Sequence, residues 1–198
     1  MRIGLLRHFP VDHKFPAGWR TAAELHAWRE RYDTAETLAG EFDLGGVVWQ
    51  ACMSSDLPRA CVTAKAVFGG EIRHTALLRE ARFAQFDTGN VRLPVWAWQW
   101  LLRLSWISGH RSQRACRDDF RQSVLAVADQ LSGLEQDTLV VSHAGMMAYL
   151  SRELRRRGFI GPKLRMARHA MVYVYERQSG EAGEGVGDLG RCNSSDVA

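Results

Sequence analysis

Hydrophobic positions along this chain follow two rhythms. Continuous apolar runs closed by polar or glycine residues occur within Arg2–His8, Val47–Met53 and Thr138–Ser142, with a shorter one from Ile72 to Thr75. Runs of that length predict strands buried on both faces. Between them apolar residues return every three or four positions. Thr21 and Glu24 make a capping box that opens a helix with Leu25, Trp28 and Tyr32 on one face, running toward Gly40 with a break near Asp33. Pro58 begins a second helix that Gly69-Gly70 stops, and Arg117–Leu131 and Met146–Arg157 predict two more. Ala170 to Tyr175 alternates as a last strand. The order strand, helix, strand, helix, strand predicts an α/β fold: a mostly parallel central sheet flanked by helices.

One stretch departs from both rhythms. Pro94 to Ile107 holds Trp96, Trp98, Trp100 and Trp106, four of the chain's seven tryptophans, with Arg103 as its only charge. Residues 86–110 are expected to form a small helical cap insertion that packs on the body and lids the site, because a helix apolar all round is normally buried. From 178 to 198 the composition turns to glycine, serine and acidic residues, which predicts a disordered tail after one domain of residues 1–177.

Composition narrows the partners. A net charge of +4 is too small an excess for a nucleic-acid partner and suits a small anionic one. No apolar stretch is long enough for a bilayer, so no membrane partner is expected, and the run Ile3–Leu6 is too short for a secretory leader. Cys52, Cys61, Cys116 and Cys192 form no C-x-x-C pair, which argues against a disulfide framework or zinc site and for a cytoplasmic setting. Arg152, Arg155, Arg156 and Arg157 read as a solvated helix end. The aromatic insertion offers a surface through which a homodimer could form.

Chemistry enters at the strand ends. Leu6-Arg7-His8 and Val141-Ser142-His143 each close a buried run with histidine, and parallel strands would open both at the same carboxyl edge, where such folds bind ligands. Arg59, in the first turn of the helix at Pro58, and Glu80, just after the third strand, can face that edge too. His13, Arg20, Arg79 and Arg82 could line its mouth, although a solvated surface role is favoured for each.

In this order the blocks resemble the histidine phosphatase superfamily, the phosphoglycerate-mutase-like proteins. Arg7-His8 is similar to its Arg-His motif, Ser54-Ser55-Asp56-Leu57-Pro58-Arg59 to its second block, Leu78-Arg79-Glu80 to its acid-bearing loop, and Ser142-His143-Ala144-Gly145 to its last histidine block. The resemblance implies a metal-independent phosphatase with no cofactor, acting on a small phosphorylated substrate. His8 would take the phosphoryl group as phosphohistidine, and Arg7, Arg59, Ser55 and a protonated His143 would bind its oxygens. Glu80 would serve as general acid and then base. Charge spreads over three oxygens in such a transfer, so planar guanidinium forks suit it. Two alternatives share the residues: a phosphoglycerate-mutase-type isomerase and a non-catalytic phosphate-binding protein. A third rival, a protein phosphohistidine phosphatase, would want a more open site than the insertion leaves. One departure stands out. Phe9 follows the Arg-His pair where the family usually has glycine, and it is expected to narrow the site.

Overall fold

The structure, a computed structural model, describes residues 1–177; the expected disordered tail lies outside the described residues. Its centre is a five-stranded sheet. The strands β1 (Arg2–Arg7), β3 (Ala51–Ser55), β4 (Ile72–Thr75), β6 (Thr138–Ser142) and β7 (Val172–Glu176) lie in the order β4-β3-β6-β1-β7. All pairings are parallel except β1 with β7. The helices are α1 (Ala22–Thr34), α2 (Pro58–Val67), α3 (Val95–Ser108), α4 (Arg114–Ser132) and α5 (Ala144–Arg156). A two-residue ribbon pairs β2 (Trp19–Arg20) with β5 (Leu93–Pro94). The α/β architecture is therefore the expected one.

Local signals explain most boundaries. Thr21 caps α1 through the reciprocal bonds with Glu24, and Pro58 occupies the first turn of α2. β1 and β6 are apolar throughout their middles because helices cover both faces of the sheet. On one side Ile3, Leu5 and Val140 meet Val127, Leu131, Met146 and Leu150 of α4 and α5; on the other Leu6, Leu139 and Val141 meet Ala60 and Ala64 of α2.

Several boundaries moved. The second strand begins at Ala51 rather than Val47 and continues through Ser54 and Ser55, both fully buried; Val48 is exposed. The α1 helix stops at Thr34, without reaching Gly40, and α4 starts a turn early at Arg114. The insertion is a helical cap as expected, but not buried all round. Trp98 and Trp106 face inward, while Trp96, Trp100, Leu104 and Ile107 face solvent. Among the described residues no helix is long and apolar enough to cross a membrane.

The cap is tied to the loop after β1. Besides the β2–β5 ribbon, Val95 donates its N–H to the Gly18 carbonyl (3.1 Å) and Trp98 donates its indole N–H to the Arg20 carbonyl (2.8 Å). Turn chemistry alone gave no sign of these long-range bonds.

Candidate active site

The carboxyl edge of the sheet gathers His8, Arg7, His143, Arg59 and Glu80. Because β1 and β6 are neighbours, the backbone N–H of His8 bonds to the Ser142 carbonyl (3.1 Å) and the two histidine rings lie 5.1 Å apart. His8 is 2% exposed. Its Nδ1 lies 2.6 Å from the Phe9 carbonyl oxygen, which can only accept, so Nδ1 carries the proton and Nε2 keeps its lone pair. Burial, helped by the charges of Arg59 and Arg7, pushes the imidazole down to about 3, so at neutral pH it is uncharged.

Arg59 is equally buried, held by Asp33 and Tyr32. Its Nη1 donates to Asp33 Oδ1 (2.9 Å), its guanidinium lies 5.0 Å over the Tyr32 ring, and Arg29 approaches the same Asp33 oxygen at 3.7 Å. Arg7 donates from Nη1 to the Ala167 carbonyl (2.8 Å) and is lowered from its ordinary value by burial, though still a cation.

His143 lies equally deep. Burial and the charges of Arg59, His8, Arg29 and Arg7 hold it well below the usual range, which favours the neutral ring as long as no anion lies beside it. Its Nε2 sits 3.0 Å from Ser55 Oγ, which also accepts the Leu57 N–H (3.3 Å). Ser55 is thus buried with its hydroxyl engaged by His143. Phe9, where glycine is usual, has its ring buried near Phe42 (6.4 Å) and donates its N–H to Thr63 Oγ1 (2.9 Å).

Glu80 lies at the start of α5. Its Oε2 accepts from Gly145 N–H (3.0 Å) and its Oε1 from Met146 (3.2 Å) and Ala81 (3.0 Å). The carboxylate caps a helix whose own N-cap residue, His143, makes no side-chain cap bond. A Cβ on residue 145 would collide with the carboxylate, which is why glycine stands there.

One pattern unites the cluster. Among the described residues the buried Nε atoms of Arg7, Arg29 and Arg59 and Nδ1 of His143 have no hydrogen-bond partner. Three are obligate donors on cations. Buried polar groups are normally satisfied, and these four unpartnered atoms, of seven such atoms among the described residues, leave hydrogen-bonding capacity that an anion could take up.

Three residues at the edge escaped the sequence reading. His169 donates from Nδ1 to the His8 carbonyl (2.7 Å) and sets its ring edge against His8 at 5.1 Å. It precedes β7, and because β7 runs antiparallel its N-terminal end lies at this same edge. Ala170 beside it adopts a positive φ of 56°. Asp33 and Arg29 sit one turn apart on α1, a spacing that was visible without a reason to aim it at Arg59. Of the other mouth candidates, Arg79 is paired with Asp56 (2.6 Å), His13 stacks on Trp28 (5.6 Å) and Arg20 bonds its neighbour's carbonyl.

The architecture is an α/β fold with a histidine pair and three arginines gathered at the carboxyl edge of a largely parallel sheet. The chain belongs to the histidine phosphatase superfamily (branch 1), whose family model matches residues 29–183. That match begins after Arg7-His8, so the first block rests on its placement beside His143. No curated protein matches the chain. Solved structures similar to it include the alpha-ribazole phosphatase from Shigella flexneri (20% identity, 78% of this chain and 79% of that one, TM-score 0.49). A mycobacterial glucosyl-3-phosphoglycerate phosphatase aligns at 21% identity over 78% and 79% with a TM-score of 0.45. A phosphoserine phosphatase from Entamoeba histolytica aligns at 14% over 87% and 89% with 0.48. Their substrates are their own.

Proposed function

We propose that this chain hydrolyses small phosphomonoesters without a metal, through a phosphohistidine at His8 Nε2. The supporting observation is the set of unmet donors around an uncharged His8 whose Nδ1 is held by the Phe9 carbonyl. A phosphoryl group carries three oxygens for those donors and an electrophilic centre for the free lone pair.

In the first step Nε2 attacks phosphorus while the ester P–O bond breaks, and the proton of the substrate monoanion passes through the Glu80 carboxylate to the leaving oxygen. In the second step water attacks phosphorus, Glu80 takes a proton from it, and the P–N bond breaks to return the lone pair to His8. Arg7 and Arg59 bind the equatorial oxygens. His143 contributes a donor without needing an extra proton: if Ser55 gives its hydroxyl hydrogen to Nε2, Nδ1–H is left for an oxygen. Ser55 is then a positioning residue rather than a substrate contact.

The test uses an aryl phosphate with and without chelator, together with acid-quench trapping of phosphoenzyme. Turnover should be indifferent to chelator and fall at least a thousandfold in His8→Ala, with no trapped phosphohistidine. Chelator-sensitive turnover, or activity that survives the substitution, overturns the mechanism. Transfer of label to an added alcohol in preference to water would favour the mutase-type alternative.

A further inference from the structure

A cavity of about 550 Å³ opens between α1, residues 82–86 and α3, next to the anion centre rather than over the histidines. Two of its lining residues join it to that centre. Asp33 holds Arg59, and Arg29 is close enough for its charge to act on His143. The third wall begins two residues after Glu80, the group that would protonate the leaving oxygen.

We infer that the cavity is the leaving-group subsite, and that it takes phosphomonoesters of apolar, aromatic-sized alcohols in preference to sugar phosphates or phosphorylated hydroxy acids. The inference rests on the hydrolase reading above and adds the substrate class. The interior is walled by Leu25, Trp28, Phe83, Phe86, Trp98 and Leu102. Both indole N–H groups are already consumed, Trp28 by the Lys14 carbonyl (2.9 Å) and Trp98 by the Arg20 carbonyl (2.8 Å). The rings thus present hydrocarbon and no donor. Apart from Gln99, half-buried on α3 between Trp98 and Leu102, polar lining lies at the ends: Arg29 and Asp33 beside Arg59, and the exposed His26, Glu30, Arg82 and Gln85 at the rim. A polyhydroxylated ligand would find only the Gln99 amide for its several hydroxyls in the middle, whereas an aromatic ring would leave none unpaired there.

The walls are held in place before any ligand arrives. Buried Gln113 grips residue 84 from both sides, accepting from its N–H (2.8 Å) and donating to its carbonyl (2.9 Å). Phe86 stacks on Trp98 at 6.2 Å, and Trp98 is locked to the loop after β1. Little ordering is left to oppose binding.

The experiment compares ethyl, butyl and 3-phenylpropyl phosphate, all esters of primary alcohols, so that bond cleavage is nearly constant and only the buried group changes. In the wild-type protein kcat/KM should rise about tenfold or more from ethyl to 3-phenylpropyl. In Leu102→Asp, and independently in Phe86→Asn, that ratio should collapse toward one. A flat series with His8-dependent turnover overturns the subsite and leaves the hydrolase reading intact. Loss of all turnover and of phosphohistidine overturns the hydrolase reading instead. The subsite is then decided by tryptophan fluorescence titration with the matching phosphonates, which are not hydrolysed. 3-Phenylpropylphosphonate binding about tenfold tighter than ethylphosphonate supports it; equal binding overturns it.

Discussion

Asp33 is the residue on which the arginine cluster depends. Arg59 has almost no access to water, and of its donors Nη1 alone is matched to a carboxylate, that of Asp33, which also faces Arg29. Removing that carboxylate leaves two guanidinium groups together near a third, Arg7. Breaking a fully buried pair costs roughly 3–5 kcal/mol, and the 18% exposure of the Asp33 side chain discounts this. Asp33→Ala is expected to lower unfolding free energy by about 1–3 kcal/mol in a urea titration, and Asp33→Asn, which keeps an acceptor, by less. A loss below about 0.5 kcal/mol in both would mean that Arg59 is held by Tyr32 and packing alone. Nothing local in the sequence pointed to this. Asp33 lies at a helix end where a carboxylate is ordinary, and only the packing of α1 against α2 gives it a buried partner. His8 and His143 were legible for the opposite reason: each terminates an apolar run, and parallel strands must end together.

At the scale of elements, α5 and the loop after β4 are one device. The helix has no side-chain cap of its own, so its first amides are met from sixty-odd residues away by Glu80. Capping explains why the acid is held rigidly, and glycine at 145 explains how it comes so close. Gly145→Ala should push the carboxylate off the helix while leaving His8 untouched. The expected result is a fall in kcat of about tenfold or more with phosphohistidine still formed from a good aryl leaving group, since such a group needs least help from an acid. Rapid-quench kinetics would show it, and unchanged kcat would detach Glu80 from the chemistry. The Glu80 block was readable as a motif, but its role as a cap was not, because capping across elements leaves no spacing rule. The cap helix shows the converse. Its apolar character was plain, yet which tryptophans face inward depended on the β2–β5 ribbon, a pairing too short to leave a pattern.

Across the whole molecule the site concentrates bases that resist protonation. His8, His143 and His169 are all shifted down, chiefly by burial and then by neighbouring arginines. The consequence for stability follows from which state binds protons. Above about pH 6.5 both the folded and unfolded chains hold these imidazoles neutral, and they contribute no pH dependence. As pH falls below that value the unfolded chain takes up protons that the folded one refuses, so the unfolded state gains and stability drops. For His8 the decline continues down to its folded value of about 3. In mid-window His8 contributes a slope of about 1.4 kcal/mol per pH unit, and His143 and His169 add to it in the same direction. Thermal unfolding between pH 6.5 and 4.5 should therefore show a midpoint that falls with acid, and His8→Gln should flatten that fall by roughly one proton's worth. A variant whose slope matches the wild type would show that His8 takes up a proton in the folded protein as readily as in the unfolded chain. Burial would then not be what keeps Nε2 unprotonated, and turnover should fall off with acid from about pH 6.5 rather than persist below it.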